Sequence, residues 1–307
     1  MPSQSMIQAL HEKLKTHKQS QFTGIVYVGV GQSLQWALYF NMGRMVWAHS
    51  QVHPIRRWHR QLVKHYPQLI AEMTPQNGEK EDIPYAKLKY QHLALQVRQD
   101  KINRTYITKA VEDYLTEIMF DIVHQGTLRF LHAKSPFVFT DSKKKFSSSL
   151  FLVVQAEQAW QQAQADWQAW QQAELVKCSP NLAPFIGQPQ ELKKLMPRAN
   201  YNHLRNIIDG QQTFRDIAVA LNQPLLPIMR QIVPYIRQGL IGSVQVQDLG
   251  NRSHASETAT TAIAPTGAAV AAASQLAKTF LVTLVSLLRR LAHCQTTLGK
   301  HLFKVRS

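Results

Sequence analysis

Four histidines, His49, His53, His59 and His65, lie close together in the sequence and raise the question of a metal site. His49 and His53 are four residues apart, but they fall on either side of the junction before Pro54. His59 and His65 are six apart and would point to different faces of a helix. Because no Cys, Asp or Glu occurs between Glu12 and Glu72 to complete a ligand set, the pattern favours scattered surface histidines over a metal site.

Sequence motifs of other catalytic chemistries are missing as well. The stretch "GVGQSLQW" at Gly29 lacks the Lys-Ser/Thr of a phosphate-binding loop, and neither a Gly-x-Ser-x-Gly motif nor a paired-carboxylate arrangement occurs. The two cysteines, Cys178 and Cys294, are too far apart to suggest a disulfide framework or a zinc site. We therefore expect a protein without enzymatic activity, cofactor, metal or small-molecule substrate.

The charge balance points to an acidic partner. Lys plus Arg exceed Asp plus Glu by 35 to 19, a net charge of +16, which suits nucleic acid, a lipid surface or an acidic protein without choosing among them. The acid-free stretch contains the segment Leu38 to Tyr66, in which Ile55, Trp58 and Leu62 recur at helical spacing and predict a buried face. The candidate partner contacts are the cations of this segment: Arg44, Arg56, Arg57, Arg60 and Lys64. For Arg57, a role in bracing the fold is an equal alternative.

The elements that would position these residues predict an α+β fold, an antiparallel sheet with packed helices. Residues 22 to 48 are typical of strands, with a hairpin turn at Asn41-Met42-Gly43. A helix is predicted from Pro54 to Tyr66 and another from Thr105 to Gly126, where the glycine would stop it. The next residues, "TLRFLH", predict a returning strand, and the first domain is expected to span residues 1–150.

Two further pieces are expected before residue 250. Residues 151–189 predict a connecting helix and joint, in which Trp160, Trp167 and Trp170 fall within roughly 80° of one helical face and must be buried. Residues 190–249 have the helix, helix, helix, strand order of a small winged-helix-like domain. Its third helix carries Arg230 and Arg237 and could bind DNA, but Pro234 interrupts it, so a protein scaffold is the favoured interpretation.

The last residues divide into a linker, 250–274, and an amphipathic basic helix, 275–307. Only ten uncharged residues separate Lys278 from Arg289, too few for a membrane span. Contact with a partner or self-association is the first expectation for this tail, and a peripheral position on the inner membrane is the second. Its candidate contacts are Leu281, Leu284, Leu288, Leu291, Arg289 and Arg290. The N-terminal residues lack the apolar core of a signal peptide, which predicts a cytoplasmic protein.

Several motifs, in the same order, resemble the PATAN domain, the N-terminal region of PatA-type cyanobacterial response regulators. The resemblance covers roughly residues 20 to 247 and starts with "LQWALYFNMGRMVWAHSQVHPIRRWHRQL". It continues through "EDYLTEIMFDIVHQGTLRF", "WQQAQADWQAWQQAELVKCSPNLAPFI" and "IDGQQTFRDIAVALNQ".

This resemblance implies a signalling output exerted by contact with other proteins, including pilus motor ATPases, in type IV pilus motility, phototaxis or heterocyst patterning. Family members usually end in a phosphoacceptor receiver domain. Here only residues 251–307 follow Gly250, and Glu257 is the sole carboxylate side chain after Asp248. The expectation is a receiver-less PATAN protein in which the linker and tail helix take the receiver's place.

Overall fold

The computed structural model describes residues 2–30, 33–69, 85–132, 134–144, 152 and 154–249. These residues form two compact units, which are called unit 1 and unit 2. Unit 1 contains the described residues up to Ser179 and also 247–249, whereas unit 2 is Pro180–Val246. The predicted α+β class is confirmed, because an antiparallel sheet is packed with helices. None of the helices within the described ranges combines the length and apolar character that a membrane span requires.

Unit 1 begins with a helix, continues with a three-stranded meander and then adds helices and a fourth strand. The elements are α1 (Pro2–Gln19), β1 (Gly24–Val30), β2 (Ser33–Asn41), β3 (Arg44–Ser50), α2 (Pro54–His65), a 3-10 turn (Pro67–Leu69), α3 (Tyr85–Arg98), α4 (Arg104–Leu131), β4 (Val138–Lys143) and α5 (Ala156–Gln172).

The sheet of unit 1 has the strand order β3-β2-β1-β4, with every neighbouring pair antiparallel. The predicted hairpin at Asn41-Met42-Gly43 is present between β2 and β3. Met42 and Gly43 both have positive φ, 50° and 76°, as a two-residue hairpin turn of this hand requires. A Cβ on Gly43 would lie 2.8 Å from the carbonyl oxygens of His17 and Lys18, so the turn fits tightly against the end of α1.

Helix α4 is longer than the sequence predicted. The expected apolar stripe from Ile107 to Ile122 is buried, but the helix passes through Gly126 and includes most of the "TLRFLH" segment. The predicted stop at Gly126 and the predicted strand are therefore wrong. A Cβ on Gly126 would lie 2.7 Å from Cγ of Met6, so the glycine permits the close approach of α1 rather than ending α4. The fourth strand is instead the more polar segment β4.

The Trp-rich helix α5 packs along α4 inside unit 1. Trp160, Trp167 and Trp170 are all buried, as the helical spacing predicted, and the last two meet Phe120 edge-on at 5.8 and 5.5 Å between ring centroids. The structure thus places this helix in the first unit rather than in a separate connector at 151–189, and the unit extends beyond residue 150 to Ser179. The large apolar face needs the equally apolar α4 as its partner.

Aromatic side chains form the centre of unit 1. The indole of Trp47 on β3 stacks on Tyr90 of α3 and Tyr114 of α4, with centroids 4.4 and 4.6 Å away and planes within 10° of parallel. Trp58 of α2 meets Trp47 edge-on at 5.6 Å. All four rings are buried, so these contacts join the sheet to three helices.

Helix α2 is capped by a residue far along the chain. His53 precedes the helix in a left-handed conformation and supplies no side-chain cap. The amides of Ile55 and Arg56 donate instead to the two carboxylate oxygens of Asp248, each at 2.8 Å. The guanidinium of Arg56 also donates to the carbonyl of Gln247 at 3.1 Å. The segment 247–249 is thereby fixed to the start of α2, where a carboxylate also suits the positive end of the helix dipole.

Unit 2 contains a short strand, four helices and a second strand. The elements are β5 (Ala183–Ile186), α6 (Pro189–Lys194), α7 (Arg198–Ile207), α8 (Phe214–Ala220), α9 (Leu225–Arg237) and β6 (Ile241–Val244). Helix α8 begins with a capping box between Thr213 and Asp216. The expected helix, helix, helix, strand order is found in α7 to β6, but β6 pairs with β5, which lies before the predicted start at residue 190.

The cap from Asp248 gives a direct stability test. We expect Asp248→Ala to lower the free energy of unfolding of unit 1 by about 1 kcal/mol, because two amides at the start of α2 lose their acceptor. Asp248→Asn keeps an acceptor oxygen for only one of the two amides, so its cost should be smaller than that of the alanine variant but not zero. Chemical unfolding, together with hydrogen exchange at the Ile55 and Arg56 amides, measures both effects. Unchanged amide exchange in the alanine variant would contradict this account of the cap.

Candidate interaction surface

The arginines of α2 that the sequence offered as partner contacts are mostly directed into unit 1. Arg57 is fully buried and places one guanidinium nitrogen 2.7 Å from Oδ2 of Asp121 and the other 3.3 Å from Oε2 of Glu117. Arg60 is also buried and lies 2.7 Å from the same Glu117 oxygen. Gln61 donates to the second oxygen of Glu117 at 2.6 Å. Arg57 and Arg60 are therefore not accessible to a partner, and the bracing alternative for Arg57 agrees with the structure.

The electrostatics of this network keep its charges in place. Burial by itself lowers the pKa of Arg57, but the neighbouring carboxylates of Asp121 and Glu117 outweigh burial and raise that pKa above its ordinary value. The guanidinium also lies 5.9 Å from the centroid of the Tyr114 ring. A charge removed from water in this way is tolerated only while its partners stay ionised and in contact.

Lys64 and Arg56 lie nearer the surface but have partners within unit 1. Lys64 and His65 both contact Oδ2 of Asp113, while Lys109 lies 3.3 Å from the other oxygen. Burial by itself raises the pKa of Asp113, but the bonds from His65 and Lys64 and the charges of Lys64 and Lys109 hold it well below its usual range. Arg56 is half-buried and joined to Gln247. These cations hold α2 in place.

The histidines and the tail complete the predicted candidates. His49 lies on β3, His53 precedes α2, and His59 and His65 lie on α2. Across the described ranges, no group of three His, Cys, Asp or Glu side chains is arranged to hold a metal ion. The tail candidates lie outside the described residues: Leu281, Leu284, Leu288, Leu291, Arg289 and Arg290. On α9, Arg230 and Arg237 are exposed with Pro234 between them.

Of the α2 and hairpin candidates, Arg44 is the one that combines an exposed side chain with no ion-pair partner in the described part of the chain. It follows the hairpin turn, beside Met42, whose side chain is 67% exposed. The turn is rigidly held, because the Met42 amide donates to Oγ1 of Thr23 at 2.9 Å and the Gly43 amide donates to the Phe22 carbonyl at 2.8 Å.

The same end of the sheet also carries two lysines that the sequence did not single out. Gly24 at the start of β1 pairs with Phe40 on one side and Lys143 on the other, so the ends of β2 and β4 flank the same point. The Lys144 amide donates to the Thr23 carbonyl at 3.4 Å. Lys143 and Lys144 are exposed and, like Arg44, lack an ion-pair partner among the described residues.

These four side chains, Met42, Arg44, Lys143 and Lys144, are called the Met42 surface. All four lie at one end of the sheet, Met42 and Arg44 at the β2–β3 turn and Lys143 and Lys144 at the end of β4, which is two strands away from β2. The lysine run after "VFTDS" could have drawn attention in the sequence, but only the pairing of β4 with β1 shows that it reaches this end of the sheet. Searches among protein families, curated proteins and solved structures found no match to this chain.

The buried ion pair between Arg57 and Asp121 predicts a larger loss of stability on mutation than an exposed ion pair does. Asp121→Ala should lower the free energy of unfolding by about 3 to 5 kcal/mol, because it leaves the Arg57 charge buried without its nearest partner. Glu157→Ala provides the control, since it removes an exposed pair with Lys18 and should change stability little. Urea unfolding of both variants measures the difference. A similar small loss in both would contradict the role of the buried pair.

The lowered pKa of Asp113 predicts a pH dependence. Because its pKa is lower in the folded state than in the unfolded chain, the carboxylate stabilises the fold above the unfolded value near 3.8. This contribution is lost progressively as the pH falls below that value toward the folded pKa. The difference in unfolding free energy between the wild type and Asp113→Asn should therefore be full at neutral pH and shrink below about pH 4. An equal difference in unfolding free energy at neutral pH and below about pH 4 would refute this linkage.

Proposed function

We propose that this chain is a non-enzymatic signalling protein that acts by binding another protein through the Met42 surface. The resemblance to the PATAN domain supports a role in type IV pilus motility, phototaxis or a related cyanobacterial signalling process. The hairpin and the arginine-rich helix that carry the resemblance are consecutive elements of unit 1. A cytoplasmic location, with the tail helix on a partner or on the inner membrane, belongs to the same proposal.

The proposal rests on the exposure of Met42 and on its left-handed backbone conformation. A left-handed conformation at a residue with a side chain costs about 1 to 2 kcal/mol, and Asn or Gly is the usual choice at such a turn. Here a large apolar side chain is held in that conformation and is left in water. Strain of this kind is concentrated at functional positions, and Met is frequent on surfaces that bind proteins.

The cations at the same end of the sheet as Met42 define the chemistry of the partner. Protein interfaces combine a central apolar anchor with a polar rim, and complementary charges in the rim accelerate association. Arg44, Lys143 and Lys144 therefore favour a partner with an apolar pocket bordered by carboxylates. A pilus motor ATPase or another signalling protein is the partner class that the resemblance implies.

Binding measurements with matched charge reversals test the surface. We expect Arg44→Glu/Lys143→Glu to weaken binding to a purified pilus motor ATPase by at least about tenfold, and Met42→Glu to weaken it similarly. Lys134→Glu/Lys177→Glu makes the same charge change at exposed positions outside the Met42 surface and should have little effect. Biolayer interferometry with folded proteins gives the affinities.

Equal binding by the two double variants would refute the Met42 surface as the contact. Failure of the wild type to bind would refute the motor ATPase as the partner. Purification of the wild type and of Met42→Glu from the native cell then tests the Met42 surface independently of the motor ATPase. A protein that co-purifies equally with both forms would count against this surface.

A further inference from the structure

Helix α7 of unit 2 lies in the middle of an acid-free stretch. No carboxylate side chain occurs from Leu192 to Ile208, and unit 2 as a whole has seven Lys and Arg side chains against three carboxylates. Within α7, Tyr201 is the buried residue, and most of the other side chains are exposed or half-buried. The helix therefore presents most of its surface to solvent.

The outward face of α7 is formed by hydrogen-bonding and cationic side chains. Arg198, Asn202, Arg205 and Asn206 are exposed and fall within about 100° of the helix circumference. Arg198 and Arg205 are seven residues apart, which places them about 10 Å apart along the axis with Asn202 between them. Neither arginine has an ion-pair partner among the described residues of unit 2.

A further cation is held beside this helix. The ammonium of Lys193 on α6 lies 5.1 Å from the centroid of the Tyr201 ring, so the residue that anchors α7 also positions a positive charge. Lys194 pairs with Glu191, but both side chains are more than half exposed, and such a pair contributes little and can be exchanged for a phosphate.

We infer that the face of α7 formed by Arg198, Asn202, Arg205 and Asn206 binds duplex DNA. Arg and Asn are the side chains that pair bidentately with guanine and adenine and also contact phosphates, and the major groove accepts an α-helix. Protein–DNA interfaces are polar and strongly positive, as this face is. An acidic protein fits less well, because the face has no large apolar side chain to serve as the anchor of a protein interface.

The hydrogen-bonding groups on the exposed faces also favour α7 over α9, the helix that the sequence suggested for DNA binding. The exposed residues of α9 include Pro227 and Pro234 beside Arg230 and Arg237. Proline side chains offer no hydrogen bonds, so the outward face of α9 has fewer groups that could read or position DNA. This binding activity goes beyond the protein contact proposed for the Met42 surface and depends on different residues.

Each helix carries two arginines seven residues apart, which provides a matched test. Fluorescence anisotropy measures binding of the full chain to a labelled duplex of about 20 base pairs at about 50 and about 200 mM salt. We expect Arg198→Ala/Arg205→Ala to weaken binding at least about tenfold and to reduce the slope of log affinity against log salt by about 2. Arg230→Ala/Arg237→Ala removes the same charge from α9 and should change affinity no more than about threefold.

Three results would overturn the inference: no binding of the wild type at the lower salt concentration, equal losses in the two double variants, or tighter binding of polyglutamate than of DNA with loss in the α7 variant. The last result would make an acidic protein the ligand of this face. Arg44→Glu/Lys143→Glu serves as a further control in the same assay. Failure of DNA binding leaves the measurements at the Met42 surface unaffected, so the two proposals are tested separately.

Discussion

The ion pair between Arg57 and Asp121 determines how unit 1 can be assembled. Both side chains are removed from water, so α2 must lie at the distance and rotation from α4 that bring the guanidinium and carboxylate together. Glu117, one turn earlier on α4, extends the same constraint to Arg60 and Gln61. In this position Trp58 reaches the ring of Trp47, and the start of α2 meets Asp248. The polar network fixes the orientation, while the aromatic rings supply the buried apolar area.

The positive charges of unit 1 therefore fall into two separate sets. One set of cations, on α2, neutralises carboxylates that come from α4, and its two arginines, Arg57 and Arg60, are buried. The second set lies where β2 and β4 end and has no carboxylate partner among the residues described for unit 1. Linear sequence does not distinguish the two, because an arginine beside a tryptophan on a helix has the same appearance whether a carboxylate of another helix lies opposite it or not.

Local signals predicted much of the fold. The hairpin at Asn41-Met42-Gly43, the start of α2 at Pro54, the stripe of α4 and the burial of the three tryptophans all follow from turn chemistry and helical periodicity. The errors arose where a distant segment decides the outcome. Local patterns predict a stop at Gly126 and an exposed Arg60, because the partners Met6 and Glu117 are distant in the sequence, Glu117 by 57 residues. The hairpin end of the sheet likewise needed the register of β4 against β1 before Lys143 could be placed beside Gly24.

The attachment of Asp248 to α2 also has a topological consequence. The chain leaves unit 1 after Ser179 and returns to it at Gln247, so Pro180–Val246 forms a folded loop whose two ends are both held by unit 1. Closing such a loop costs entropy that grows only slowly with its length, which makes an inserted domain of this size thermodynamically tolerable. A change that releases the Asp248 carboxylate from α2 would leave the loop Pro180–Val246 held by unit 1 at its N-terminal end alone.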